Sequence, residues 1–216
     1  MLGISGAFFN FISMQNIKNI IFDLGGVILN IDIKRTEEAL RELGVDNFSD
    51  YMSQFQISSF FREYEMGKID DAAFIKSIQS LSVNELPEEA AINAWNALLL
   101  DFPQERIELL KKLKEKYRIF LLSNTNAIHH RQFQQQLYLQ TGSYLEDLFE
   151  KTYYSHTVKL RKPDVAIFQL VINENKLNPA ETLFVDDTEE NMAGAKEAGL
   201  QVLHIIPGKS ILDLEW

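Results

Sequence analysis

Short apolar runs alternate with amphipathic stretches along most of the chain. The apolar runs are rich in β-branched or aromatic residues and end in polar ones; they cover residues 17–24, 117–124, 151–155, 181–187 and 200–206. The stretches with apolar positions at helical spacing cover residues 104–116, 127–139, 163–176 and 188–198. Strands that are apolar throughout and are separated by helices predict a parallel sheet covered on both faces, a Rossmann-like α/β fold.

A proline and a glycine predict where two of these helices begin and end. Pro163 suits the first turn of the helix over residues 163–176, where a missing N–H costs nothing. Gly199 suits the cap that follows the helix over residues 188–198.

Residues 34–100 interrupt this alternation. The region contains no convincing strand and reads as several helices: "RTEEALRELG", "FSDYMSQFQISSFFREYEMG", "DDAAFIKSIQSL" and "PEEAAINAWNALLL". We therefore expect residues 14–33 and 101–216 to form an α/β core. Residues 34–100 would form a helical domain inserted after the first strand.

Composition narrows the classes of partner and of metal site. The 216 residues, 46% of them hydrophobic, can bury a core and a small inserted domain. Because there is no cysteine, any metal must be bound by oxygen ligands or by the four histidines. The net charge of −10 argues against nucleic acid and anionic membranes as partners, since both require a basic face.

The amino-terminal stretch "MLGISGAFFNFIS" is apolar but lacks the basic region of a signal peptide and is too short to span a bilayer. We therefore expect a cytoplasmic protein, with Met14 as an alternative start. The pattern carries no signal for an oligomeric state.

Residues whose side chains could take part in catalysis or binding lie at the ends of three predicted strands and before one predicted helix. They are Asp23, Ser123 with Asn124, Lys162, and Asp186 with Asp187. Taken singly, each is an ordinary turn, cap or surface residue. Together they place a nucleophile, a hydroxyl, a cation and an acidic pair at the carboxyl edge of one sheet, where open α/β folds bind ligands.

The motifs "FDLGGV", "LLSNTN", "RKPD" and "FVDDTEEN", in this order, resemble those of the haloacid dehalogenase superfamily over residues 17–206. The resemblance is strongest to bacterial sugar-phosphate phosphatases whose first motif reads Asp-Leu-Gly, including glucose-1-phosphate phosphatase-like members. It implies a phosphatase that acts on a small phosphorylated metabolite such as a sugar phosphate, with the helical insert as its cap.

The resemblance also implies roles for the residues at the sheet edge. Asp23 would attack phosphorus and form an aspartyl-phosphate. Ser123 and the backbone N–H of Asn124 would bind the phosphoryl oxygens, whose charge Lys162 would neutralise. The ligands of a Mg²⁺ cofactor would be Asp23, the carbonyl of Gly25, Asp186 and Asp187.

At one position the chain departs from the family pattern. Most phosphatases of this family carry an aspartate two residues after the nucleophile, which protonates the leaving oxygen, and Gly25 occupies that position here. Asp32 is a candidate for a substitute acid, although a helix-capping role is expected equally. Asn191 is a candidate for steadying the acidic pair, and His129 for a capping role or a place in the pocket.

Two other functions remain open. A haloacid dehalogenase of the same fold also uses an aspartate nucleophile but needs no metal, which would leave the acidic pair at residues 186–187 without a purpose. A catalytically silent regulatory protein could keep a phosphate pocket, but retention of Asp23, Ser123, Lys162 and Asp187 together argues against it.

Overall fold

The computed structural model describes residues 14–46, 48 and 60–216. Five parallel strands form one sheet in the order β3-β2-β1-β4-β5. The strands are β1 (Asn19–Phe22), β2 (Arg118–Ser123), β3 (Lys151–Tyr154), β4 (Thr182–Asp186) and β5 (Gln201–His204). Each lies within a run predicted from the sequence, and the parallel α/β fold is confirmed.

Ten α-helices are assigned within the described residues. They are α1 (Ile33–Glu42), α2 (Phe60–Glu65), α3 (Asp71–Leu81), α4 (Glu88–Asn96), α5 (Gln104–Leu113), α6 (Ala127–Thr141), α7 (Leu145–Leu148), α8 (Ser155–Val158), α9 (Val165–Asn175) and α10 (Glu189–Glu197). None of them is both long enough and apolar enough to cross a membrane.

Different helices pack against the apolar side chains on the two faces of the sheet. Ile20 and Phe22 of β1 pack in a cluster with residues of α5 and α6. Ile21, which points to the opposite face, packs in a second cluster with residues of α9 and α10. The sheet is therefore the middle layer of three, and its strands are apolar on both sides.

The insert has an apolar cluster of its own, built from α1 to α4 and joined by Ile128 of α6. The chain enters and leaves the insert through two adjacent segments, because Ile31 forms an antiparallel bridge with Leu99. The N–H of Asn30 donates to the carbonyl of Asp101 at 2.9 Å and extends this pairing. Residues 49–59 of the second predicted helical stretch, with residue 47 before it, lie outside the described residues.

The expected start of α9 was wrong. Pro163 follows Lys162 through a cis peptide bond, Asp164 is the N-cap, and the helix begins at Val165. The reason is that both backbone groups of Lys162 bind the side chain of Asn124, so this segment belongs to the sheet edge. Gly199 follows α10 with a φ of 88°, as expected for a glycine that ends a helix.

Candidate active site

Asp23 is held at the carboxyl end of the central strand. Its backbone N–H donates to the carbonyl of Val185 at 2.8 Å, directly after the pairing of β1 with β2 and β4. The residue is 9% exposed. Because neighbouring strands flank β1 on both sides, the backbone of Asp23 is fixed at the carboxyl edge of the sheet.

Lys162 connects this carboxyl group to the acidic pair. Its Nζ lies 2.8 Å from Oδ1 of Asp23 and 2.7 Å from Oδ2 of Asp186, and the side chain is 1% exposed. Burial disfavours the ammonium ion, but the two carboxylates outweigh this effect and raise the pKa of Lys162. The lysine is therefore a permanent positive charge inside the site.

Asn124 fastens the loop of Lys162 to the end of β2. Its Oδ1 accepts from the backbone N–H of Lys162, and its Nδ2 donates to the Lys162 carbonyl, both at 2.9 Å. Ser123, the last residue of β2, is buried. Sequence reasoning considered only the backbone N–H of Asn124 and missed this side-chain contact.

The two acids after β4 have different surroundings. Asp186 is fully buried, and its carboxylate accepts hydrogen bonds from Asn191 and from the backbone N–H of Thr188. Asp187 has fewer such bonds, and its carbonyl lies 3.0 Å from Nε2 of His204. Burial and the charge of Asp186 raise the pKa of the Asp187 carboxyl. Asp187 is thus the acid with the freer carboxylate.

The donor set fits a divalent cation. Carboxylate oxygens of Asp23, Asp186 and Asp187 lie within 4.8 Å of one another. Burial raises the pKa of Asp23 to about 7, against the attraction of Lys162 and with a contribution from the two acids. Gly26 leaves the space beside Asp187 open, because a Cβ at residue 26 would overlap that carboxylate. One ammonium against three carboxylates leaves an excess of negative charge, which Mg²⁺ would offset.

An apolar side chain borders the position two residues after Asp23. A Cβ added to Gly25 would lie 3.2 Å from Cδ1 of Ile31. Asp32, the candidate substitute acid, is the N-cap of α1, where Oδ1 accepts from the backbone N–H of Lys34 at 3.1 Å. Of the two roles that the sequence left open for Asp32, the structure shows the helix-capping one.

His129 lies where the insert meets the core. Its ring stacks on Trp95 with 4.7 Å between ring centroids, and Nε2 lies 3.0 Å from the Trp95 carbonyl. Burial lowers the pKa of His129 to about 4, although the Trp95 carbonyl opposes the shift. His129, on α6, thus has a structural role: it contacts Trp95 of α4.

Charged pairs also join the insert to the segment that carries Lys162. Glu65 of α2 lies 3.1 Å from Nη2 of Arg161, and Arg62 lies 4.0 Å from Asp164. Burial raises the pKa of Glu65, while Arg161 opposes the shift. The sequence alone does not predict this ion pair, because Glu65 and Arg161 are far apart in the chain.

Fold and site together define an α/β enzyme with a strand-terminal aspartate, a buried lysine and an acidic pair at one edge of the sheet. The haloacid dehalogenase-like hydrolase family matches residues 17–199, and the chain belongs to that family. The family identified from the four motifs is confirmed.

Two relatives match over nearly their whole length. A D-ribitol-5-phosphate phosphatase from Bacteroides thetaiotaomicron is 32% identical over 86% of this chain and 90% of its own. A sesquiterpene phosphatase from Aspergillus oryzae is 29% identical over 87% of this chain and 89% of its own. Both relatives are named as phosphatases.

A solved structure of similar fold contains a divalent cation of the kind that this donor set fits. It is a HAD family enzyme from Bacteroides thetaiotaomicron, in complex with magnesium and inorganic phosphate. The two share 36% sequence identity with a TM-score of 0.85, over 93% of this chain and 100% of that chain.

Proposed function

We propose that this protein is a Mg²⁺-dependent phosphatase that hydrolyses a small phosphorylated metabolite through an aspartyl-phosphate. The observation that carries the proposal is the contact of Asp23 with Lys162, beside two further acids at the same sheet edge. A buried aspartate next to a permanent cation suits attack on a dianionic ester, which a carboxylate would otherwise repel.

The reaction has two displacements. In the first, an oxygen of the Asp23 carboxylate bonds to phosphorus while the bond to the ester oxygen breaks, and the leaving oxygen takes a proton from water and departs as the alcohol. In the second, water attacks the phosphorus of the aspartyl-phosphate, which releases inorganic phosphate and restores Asp23. Ser123 and the N–H of Asn124 bind the phosphoryl oxygens, and Lys162 offsets the charge that develops on them.

The cation would be held by Asp23, the carbonyl of Gly25 and Asp187. Asp186 would support the set, because its own oxygens already accept from Asn191, Thr188 and Lys162. When bound, Mg²⁺ would neutralise the excess negative charge and orient the phosphoryl group.

A sugar phosphate or sugar-alcohol phosphate is the substrate class that we favour. The support is the likeness to a D-ribitol-5-phosphate phosphatase over most of both chains. The insert would act as a cap over the leaving group, since α2 reaches the segment of Lys162 through Glu65 and Arg161. Glu65 and Arg161 could then exchange their ion pair for hydrogen bonds to substrate hydroxyl groups.

A panel of phosphate esters tests the proposal. Turnover of sugar phosphates, D-ribitol 5-phosphate and aryl phosphates is measured with Mg²⁺ and with excess chelator, and Asp23→Asn is the matched inactive control. The proposal predicts activity that needs both Mg²⁺ and Asp23. Equal activity in chelator would favour the dehalogenase-like alternative. Binding of phosphate without turnover of any ester would favour the regulatory one.

A further inference from the structure

Trp95, Asn126 and His129 form a closed hydrogen-bonded cluster between the insert and the core. Oδ1 of Asn126 accepts from the His129 N–H at 3.0 Å and from Nε1 of Trp95 at 3.4 Å. Nδ2 of Asn126 lies 3.0 Å from Nδ1 of His129. All three side chains are buried, so each polar atom depends on the others rather than on water.

The hydrogen bonds define the state of the imidazole. The Trp95 carbonyl can only accept, so Nε2 of His129 carries the hydrogen and donates to it. Nδ1 is then the acceptor for Asn126. A neutral ring with this tautomer satisfies both neighbours, whereas a protonated ring would present a donor to Asn126.

Asn126 is the last residue of the turn over residues 123–126. Each of the last three turn residues forms hydrogen bonds with a different segment of the chain. Asn124 binds the backbone of Lys162. Thr125 binds the hydroxyl of Ser155 through both its N–H and its carbonyl, each at 2.9 Å. Asn126 connects the turn to the insert, through Trp95 of α4.

We propose that Trp95 and His129 are positioning residues through which the insert sets the geometry of the phosphate-binding turn. The inference rests on the proposed function, in which Ser123 and the N–H of Asn124 bind the phosphoryl group. Asn126 lies only two residues after Asn124, so its hydrogen bonds to Trp95 and His129 contribute to the position of the backbone from which the Asn124 N–H donates. Misplacing such a group by about 1 Å can reduce the rate on the order of 10²-fold.

Two variants of the full chain test this role. Trp95→Phe keeps an aromatic ring for stacking and removes the Nε1 donor. His129→Gln keeps an amide that can donate to the Trp95 carbonyl and removes the acceptor at Nδ1. The matched control is His130→Gln, because His130 is next on the same helix but faces Tyr154 and His156.

The measurements are kcat and KM for an aryl phosphate, and the affinity for inorganic phosphate in the presence of Mg²⁺. Both cluster variants should weaken phosphate binding by about tenfold and lower kcat/KM by at least that factor, while their circular dichroism shows that they remain folded at the assay temperature. His130→Gln should stay within about twofold of the wild type. Unchanged phosphate affinity and kcat/KM in both cluster variants would overturn the inference.

A measurement on the wild type decides the matter even if the variants fail to fold. In protein labelled with ¹⁵N-histidine, the His129 ring should show the Nε2–H tautomer, and its signals should shift on saturation with inorganic phosphate and Mg²⁺. Signals that do not move would contradict the coupling while leaving the phosphatase assay intact. A wild type that neither binds phosphate nor hydrolyses any ester would instead refute the proposed function, and this inference with it.

Discussion

Nζ of Lys162 lies 2.8 Å from Oδ1 of Asp23, and the lysine is almost completely removed from solvent. The same ammonium also pairs with Asp186 at 2.7 Å. A single buried cation therefore holds together two carboxylates that would otherwise repel each other.

Lys162→Met should destabilise the protein, because it leaves Asp23 and Asp186 buried without their cation. We expect the free energy of unfolding to fall by about 3–5 kcal/mol, as when one partner of a buried ion pair is removed. Denaturant unfolding at neutral pH measures this change. Lys159→Met, at an exposed position nearby, is the control. Mg²⁺ should raise the melting temperature of Lys162→Met more than that of the wild type, and equal increments would contradict this electrostatic account.

Asp23→Asn should lower turnover by at least about 10³-fold, since an amide oxygen is a poor nucleophile towards phosphorus. The fold should persist, because Lys162 keeps its partner Asp186. Rapid quenching and mass measurement should detect a phosphorylated wild-type protein but no phosphorylated variant. Turnover close to the wild-type rate would rule out covalent catalysis by Asp23.

Gly25→Asp should not by itself supply a general acid, because Cδ1 of Ile31 borders the new side chain. Ile31→Val deletes that methyl group at a cost of about 1 kcal/mol. We expect wild-type rates on simple esters without hydroxyl groups to fall steeply as the leaving-group pKa rises. The double variant should flatten this dependence more than Gly25→Asp alone. A flat dependence in the wild type would mean that another residue supplies the proton.

Asp32 can be tested for catalysis separately from capping. Asn caps helices about as well as Asp, so Asp32→Asn removes the acid and keeps the cap, whereas Asp32→Ala costs about 1 kcal/mol of stability. We expect Asp32→Asn to match the wild type in stability and in leaving-group dependence. If that dependence becomes steeper in Asp32→Asn alone, Asp32 is the missing acid.

The buried neutral state of His129 predicts a pH-dependent stability. Its pKa falls from 6.5 to about 4 on folding, so the unfolded chain binds more protons between these values. The His129 contribution is therefore lost as pH falls from about 6.5 to about 4, and the total loss is roughly 3 kcal/mol. The difference in unfolding free energy between the wild type and His129→Gln should change by that amount over this range. A constant difference between the two would indicate that His129 is protonated in the fold.

The sheet and the edge that carries the site could be predicted from sequence because they depend on local patterns. Each strand is a short apolar run, and parallel topology brings the carboxyl ends of the strands to one edge. Asp23 and Asp186 end adjacent strands at this edge, and Lys162 contacts both.

Contacts between distant segments could not be predicted in this way. Glu65 meets Arg161, and Trp95 meets His129, only because the insert packs on the core at one particular orientation. No periodicity in the sequence encodes that orientation. The position of Pro163 before the helix could not be predicted for the same reason. It depends on the hydrogen bonds between Asn124 and Lys162 rather than on helix preference.

The central position of β1 has a consequence for hydrogen exchange. Its residues pair with β2 on one side and β4 on the other, and the amide of Asp23 is bonded to Val185. Amides of this kind open only when the whole sheet opens, so the amide hydrogen of Asp23 should be among the slowest to exchange with deuterium. The proposed nucleophile would thus lie on the most rigid part of the backbone, and motions during turnover would be confined to the substrate and the insert.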